Sequence, residues 1–143
     1  MTWLVLPLLL YIAYVDIREH RIPNWAVLTL LVLTLGRVAL EGPPALSDAL
    51  LGAGVAGVPF FVAAFANAVG MGDAKLAFAL GALLGYPAVV PGLLIATAAG
   101  GVVVLALVAA GRMGWKDPMP YGPFLVLGAV ITMGGLTFGG TLW

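Results

Sequence analysis

Apolar runs, separated by short polar or turn-forming stretches, make up nearly the whole chain. The breaks fall at residues 18–24, 41–44, 70–73, 86–92 and 111–121, where charged residues, glycine and proline are concentrated. A membrane-spanning helix needs roughly 17–25 apolar residues, and the runs between the breaks are of this order. The pattern therefore predicts an all-α, polytopic membrane protein with about six transmembrane helices and short loops. The predicted helices cover residues 2–17, 25–40, 48–69, 73–85, 93–110 and 122 to the C-terminus.

Composition agrees with this prediction and narrows the function classes. The 143 residues are 63% hydrophobic and 8% charged, with a mean hydropathy of +1.15, and a soluble domain of this size buries too little surface to hide so much apolar area. Residues 1–143 are therefore interpreted as one transmembrane domain. Its first segment is expected to be a retained span, because it lacks the basic start and cleavage site of a signal peptide. Zero net charge argues against a nucleic-acid partner, and the absence of cysteine excludes disulfides and thiolate metal sites.

Local signals predict where several helices begin. Pro23 fixes the turn after the first helix, and Asn24 is expected to be the N-cap of the second. Ser47 is interpreted as the N-cap of the third helix, with Asp48 as a capping or dipole-compensating residue. The end of the fourth helix stays open, because a continuation past Pro87 is compatible with the pattern.

The distribution of basic residues predicts the orientation in the membrane. With six spans, alternate loops lie on opposite sides, and Arg37 is the one basic residue on its side. The positive-inside rule makes the other side cytoplasmic, and both chain termini are expected on the outer side. The basic residues of the predicted cytoplasmic side are Arg18, Arg21, Lys75, Arg112 and Lys116.

Two aspartates carry the candidate chemistry. Asp16 ends the first apolar run, and Asp73 opens the fourth, so both fall on the predicted cytoplasmic side. An ionisable residue at membrane depth is costly and usually functional. Hydrolysis of an amide needs a base to activate water and an acid to protonate the leaving nitrogen, and two carboxyls that share one proton supply both. We therefore interpret Asp16 and Asp73 as the pair of an aspartyl peptidase.

The turn before the fourth helix contains two glycines that are expected to shape the site. Gly70 and Gly72 are expected to permit backbone torsions that other residues avoid, and to let an extended substrate approach closely. Lys75 is expected to point away from Asp73, towards lipid headgroups or an acidic part of a substrate.

Small residues recur every fourth position along the fourth helix. Such a stripe lets a neighbouring backbone approach closely in lipid, so this face is predicted to pack against another helix, whose identity stays open. The stripe consists of Asp73, Ala77, Gly81 and Gly85.

Three motifs occur in a fixed order: an aspartate before Ile22-Pro23-Asn24, the Gly-x-Gly-Asp-x-Lys turn at 70–75, and Met-Pro-Tyr-Gly-Pro-Phe-Leu at 119–125. Together they resemble the type IV prepilin peptidase family of Gly-x-Gly-Asp membrane aspartyl peptidases, in its short form. The resemblance extends from Asp16 to about Gly128. It implies an endopeptidase that cleaves the leader from pilin-like precursors at the cytoplasmic membrane face, between a basic leader and a hydrophobic helix.

The resemblance also implies roles for individual residues. Asp16 and Asp73 would be catalytic, with water as nucleophile and with no metal or organic cofactor. The residues implied to support the site or bind substrate are Gly70, Gly72, Lys75, Pro23 and Asn24. Larger family members have an extra region with paired cysteines that is associated with N-methylation of the product. This sequence has no cysteine, so the resemblance implies cleavage and leaves methylation unsupported.

Other interpretations remain open at this point. The chain could be a non-catalytic membrane scaffold for pilus or secretion components. A proton-coupled transporter is less favoured, because a proton relay should place carboxylates along a path through the membrane. Asp16 could simply pair with Arg18 or Lys75 at the interface, and Asp73 could simply cap its helix.

Overall fold

The computed structural model describes residues 2–114 and 121–138, which form six α-helices and no strand. This confirms the predicted all-α class. Lys116 and the first two residues of the C-terminal motif, Met119 and Pro120, lie outside the described residues. The helices are α1 (Thr2–Glu19), α2 (Asn24–Glu41), α3 (Pro43–Phe65), α4 (Met71–Leu84), α5 (Val89–Ala109) and α6 (Gly122–Phe138).

Several of these helices match the dimensions of a bilayer. Helices α2, α3 and α5 are each long and apolar enough to cross a membrane. Helix α6 is apolar over a shorter stretch, Gly122–Gly135. Helix α4 has 14 residues and is therefore about 21 Å long, shorter than the roughly 30 Å of a hydrocarbon core. The protein is a polytopic membrane protein in which the helix that carries Asp73 is one of the short ones.

Proline, rather than a polar side chain, starts α2 and α3. Asn24 is the first residue of α2 and makes no cap hydrogen bond, so its prediction as an N-cap was wrong; the N-cap position is Pro23. The Pro23 carbonyl accepts the first helical hydrogen bond from the Ala26 N–H, at 3.1 Å. Helix α3 begins at Pro43, ahead of the predicted start. The first N–H groups of a helix have no partner within it, and proline, which has no N–H, leaves none unpaired at this position.

Because α3 begins early, Ser47 and Asp48 lie inside it. The Ser47 hydroxyl donates to the Pro44 carbonyl at 2.8 Å within the helix, so the prediction that it is an N-cap was wrong. Asp48 is exposed in the second turn, one residue further on.

Glycine ends α4 before the predicted alternative at Pro87. The Gly85 N–H donates to the Gly81 carbonyl at 2.8 Å, and Gly85 has a φ of +73°, which L side chains rarely adopt. The helix therefore does not continue past Pro87, and α5 begins at Val89, earlier than predicted.

The small-residue stripe of α4 packs against α3, which answers the open question of its partner. A Cβ atom on Gly52 of α3 would lie 2.8 Å from Cα of Gly85 and would overlap the carbonyl oxygen of Gly81. Ala77, in the middle of the stripe, has no exposed surface. The prediction that this face packs closely is confirmed, and the close approach depends on glycine in both helices.

Helix α6 packs against both helices that carry the aspartates. It contacts both α1 and α4. On α1, the residues that face the interior are Val5, Leu9 and Ile12, each with no exposed surface. Asp16 continues this stripe at helical spacing, so the fold turns its side chain inward.

Candidate active site

The structure brings Asp16 and Asp73 together in the interior. Among the charged residues that the structure describes, these two are buried, with 3% and 6% of their surfaces exposed. The two carboxyls are near enough to repel each other electrostatically. Two like charges out of water are unfavourable unless they share a proton, so this arrangement has no evident benefit for stability.

Asp16 is held near the C-terminal end of α1. The Asp16 carbonyl accepts a hydrogen bond from the His20 N–H at 2.9 Å, and His20 has a φ of +52°, which ends the helix. The imidazole of His20 also interacts electrostatically with the Asp16 carboxyl. Arg18 and Lys75 are both exposed, and no ion pair joins either one to Asp16 within the described residues. The interpretation of Asp16 as one half of an interfacial ion pair is therefore not favoured.

Asp73 is the third residue of α4 and is not its N-cap residue. The N-cap position is Gly70, which has no side chain to make a cap hydrogen bond, and its backbone N–H faces the Asp73 carboxyl. Gly70 has a φ of −71° and a ψ of 150°, an extended conformation open to any residue, and Gly72 lies inside the helix. The expectation that these glycines adopt torsions closed to other residues was therefore wrong.

The loop between α1 and α2 packs on the start of α4. A Cβ atom on Gly72 would lie 3.5 Å from Cβ of Ile22, at ordinary van der Waals distance. The loop therefore lies against the α4 backbone, with room at 72 for a Cβ in ordinary contact with Ile22. Pro23 follows Ile22 directly and fixes the direction in which the chain enters α2.

An open cleft of about 740 Å³ lies between these segments. Its walls come from the end of α1, the following loop and the start of α4, and both aspartates line it. All five residues that the sequence implied as supporting also line the cleft, and Lys75 is exposed there. The lining residues are Val15, Asp16, Glu19, His20, Arg21, Ile22, Pro23, Asn24, Gly70, Met71, Gly72, Asp73 and Lys75.

The N-terminus of α6, which is not part of the cleft lining, also lies against the two carboxyls. The Tyr121 N–H donates to Oδ2 of Asp73 at 3.4 Å, and the Gly122 N–H faces both carboxyls. The Tyr121 ring is held edge-on between Phe60 and Phe124, with centroid distances of 6.1 and 6.2 Å. The sequence indicated this segment as a motif but assigned it no role, because the motif does not tell which side chains its backbone meets.

Metal ligands are not grouped in the part of the chain that the structure describes. No set of three or more His, Cys, Asp and Glu side chains is arranged there to hold a metal ion.

Comparison with known proteins places this arrangement in a family. A model described as the type IV leader peptidase family matches residues 3–105, which include both aspartates and all of the cleft. The chain belongs to the type IV leader peptidase family. The match covers α1 to most of α5, whereas α6 lies beyond it.

Curated relatives in this family carry the name prepilin leader peptidase/N-methyltransferase. A Burkholderia pseudomallei (strain 1026b) protein is 46% identical over 65 residues, covering 46% of this chain and 21% of the relative. A Pectobacterium carotovorum subsp. carotovorum protein is 34% identical over 139 residues, covering 91% of this chain and 49% of the relative. An Aeromonas salmonicida (strain A449) protein is 29% identical over 141 residues, covering 93% and 47%. The chain therefore spans about half or less of these relatives. No solved structure matches it.

Proposed function

We propose that this chain is an aspartyl endopeptidase that removes the leader peptide from type IV pilin-like precursors, with Asp16 and Asp73 as the catalytic pair. The observation that carries the proposal is the meeting of two buried carboxyls on the wall of an open cleft of about 740 Å³. Ionisable groups that are buried beside a like charge are typical of functional sites, because structure alone gives no reason to keep them together.

In the proposed reaction, one carboxyl is ionised and the other protonated. The ionised carboxyl takes a proton from water, whose oxygen attacks the scissile carbonyl carbon, while the other carboxyl protonates the carbonyl oxygen. The resulting gem-diol then returns a proton to the second carboxyl as the first protonates the leaving nitrogen and the C–N bond breaks. One water is consumed, and the pair regains its single proton.

The cleft is suited to an extended peptide at the edge of a membrane. Exposed polar residues of both signs border it, among them Glu19, Arg21 and Lys75. A basic leader would lie in this polar cleft, and the hydrophobic helix of the precursor would stay in the lipid beside it. Gly70 and Gly72, which add no side chains to the wall, would leave the substrate backbone room near Asp73.

We place the protein in the inner membrane with the cleft towards the cytoplasm and both termini on the outer side. The support for this orientation is charge: Arg21 and Lys75 line the cleft, Arg18 lies in the last turn of α1 beside it, and Arg37 lies near the opposite end of α4. Methyl transfer, the second activity in the relatives' name, is not part of the proposal, because the chain aligns with only about half of the two longer-aligned relatives.

A processing assay on co-expressed prepilins tests the proposal. Asp16→Asn and Asp73→Asn keep the size of the side chain and remove its ability to exchange protons, so each should lower the cleavage rate by roughly 10²–10⁴-fold. Asp48→Asn is the matched control, because Asp48 is exposed and lies outside the cleft; it should process normally.

The outcomes of this assay separate the alternatives. Continued cleavage by either variant, at normal membrane level, would remove that aspartate from the mechanism. If the unmodified chain cleaved none of the pilins tested, a non-catalytic scaffold would replace the peptidase. A proton-coupled transporter would need ionisable groups along a path through the membrane. The two buried charged side chains among the described residues instead lie together at one end of α4.

A further inference from the structure

Helix α6 presents its first backbone amides to the carboxyl pair. The Tyr121 N–H donates to Oδ2 of Asp73 at 3.4 Å, and the Gly122 N–H faces both Asp73 and Asp16. The first N–H groups of a helix have no partner within it, and the helix dipole makes this end positive. A 17-residue helix thus directs its positive end at the two acidic groups of the site.

A second observation concerns Asp16 itself. This side chain is 97% buried, since 3% of its surface is exposed, and its Oδ2 atom has no hydrogen-bond partner among the described residues. The same carboxyl lies directly against Gly122. A Cβ atom at position 122 would lie 2.9 Å from Cγ of Asp16 and would overlap Oδ2. Gly122 has a buried, helical position in which any side chain would displace the carboxyl.

We infer that Gly122 is a positioning residue: its missing side chain gives the Asp16 carboxyl its place over the first turn of α6, beside Asp73 and the amides of residues 121 and 122. The inference rests on the proposed function in that the positioned groups are the peptidase pair. It goes beyond that function, because residues 3–105, which define the family match, do not include Gly122.

The physical argument is one of space and alignment. Two carboxyls can share a proton and act on one water only when both are held at the same point, and a misplacement of about 1 Å can cost roughly 10²-fold in rate. Backbone amides are suited to hold them, because they are fixed by the helix and do not have to reorganise during the reaction. A methyl group at 122 would push the Asp16 carboxyl out of this arrangement and leave both aspartates present.

The kinetic test compares two Gly→Ala substitutions in the same helix. Gly122→Ala should lower kcat about 10²-fold with KM changed little, because the cleft wall formed by α1, the loop and α4 stays in place. Gly134→Ala is the matched control, since a Cβ atom there meets nothing within 4 Å; its kcat should stay normal. If the unmodified chain cleaves prepilin and Gly122→Ala has the same kcat, the inference is overturned and the proposed function stands.

A double-mutant cycle tests the contact without any activity. Gly122→Ala should shift the thermal midpoint downwards more in the otherwise unmodified chain than in an Asp16→Ala background, where the Cγ and Oδ2 atoms that the new methyl would meet are gone. The remaining Asp16 Cβ would lie 3.4 Å from the new methyl, at ordinary contact distance. An equal loss in both backgrounds would overturn the contact. If Gly122→Ala folds poorly, the same cycle still decides, because Asp16→Ala should restore its folding.

Discussion

At the C-terminal end of α4 the backbone packs so closely on α3 that no side chain fits between them, whereas its N-terminal end borders a cleft of about 740 Å³. We refer to the first as the closed end, formed by Arg37, Gly52, Gly81 and Gly85. The second is the open end, formed by Asp16, Ile22, Gly72 and Asp73.

Charge is used in opposite ways at the two ends. At the closed end the Arg37 guanidinium donates to the Ala82 carbonyl at 3.4 Å, and a cation at a helix C-terminus is favourable. Each end has one buried polar atom with no partner among the described residues, Arg37 Nε at the closed end and Asp16 Oδ2 at the open end. The difference is that two acidic groups lie beside each other out of water at the open end. The closed end stabilises the fold, and the open end retains an arrangement that is unfavourable for stability and suited to chemistry.

The largest expected change in stability comes from a disulfide that joins the α1–α2 loop to α4 at the open end. In the double variant Ile22→Cys, Gly72→Cys the two Cβ atoms would be 3.5 Å apart, within the range for a disulfide. Oxidation should raise the free energy of unfolding by about 2–4 kcal/mol, because the disulfide joins the loop to α4 where the two already pack.

Reduction of the same sample provides the control. Because the natural chain has no cysteine, the two introduced cysteines have no other thiol to pair with in the same molecule. The gain in the free energy of unfolding should disappear when the disulfide is reduced. A pairing of Ile22→Cys with Gly36→Cys should not cross-link, because a Cβ atom at 36 meets nothing within 4 Å. Efficient cross-linking of that second pair, or none of the first, would contradict the packing of the loop on α4.

At the closed end we expect a loss of stability without a loss of chemistry. Gly52→Ala should lower the free energy of unfolding by about 1–3 kcal/mol, because the new methyl meets the backbone of Gly81 and Gly85, which cannot move aside as a side chain would. Molecules that remain folded should keep a normal kcat. Thermal unfolding in detergent and a cleavage assay measure the two effects separately.

Gly54→Ala is the matched variant for this test. It lies in the same helix, and its Cβ atom would meet nothing within 4 Å. Because alanine is the better helix former, it should be neutral or stabilise by up to about 1 kcal/mol. If both variants lost stability equally, close packing of α3 on α4 would not explain the requirement for glycine.

The smallest expected effect is a difference in stability between two variants at the open end. His20 has a φ of +52°, a conformation that costs a non-glycine residue roughly 1 kcal/mol, so His20→Gly should be more stable than His20→Ala by up to about that amount. Both variants lose the imidazole and its interaction with Asp16, and His20→Ala alone keeps the strained torsion. Equal unfolding midpoints for the two variants would show that the backbone at His20 is not strained.

Much of the site could be predicted from local sequence, although not always for the right reason. Burying a carboxylate is costly, so Asp16 and Asp73 were identifiable wherever the helices lay. The Gly-x-Gly-Asp turn was also identifiable, but the conformation expected for its glycines was wrong: Gly70 is extended, and Gly72 lies in the helix against Ile22. A motif gives the position of a feature and not the contact that requires it.

Helix ends were less predictable, for a related reason. Asn24 and Ser47 have the side chains of good N-caps, yet a proline carbonyl starts α2 and a proline pair starts α3. A polar side chain competes for the role of cap with whatever the neighbouring backbone offers, and the sequence does not tell which of them wins.

The sequence by itself determined the helical class, the membrane environment and the two acidic residues, because each depends on properties of residues near one another in the chain. Only the tertiary structure decided that α3 is the partner of the α4 stripe, and that the start of α6 meets both carboxyls. These contacts join residues far apart in sequence, and they depend on which helix surfaces fit together. The space that Gly122, near the start of α6, leaves for Asp16, near the end of α1, arises from that packing alone.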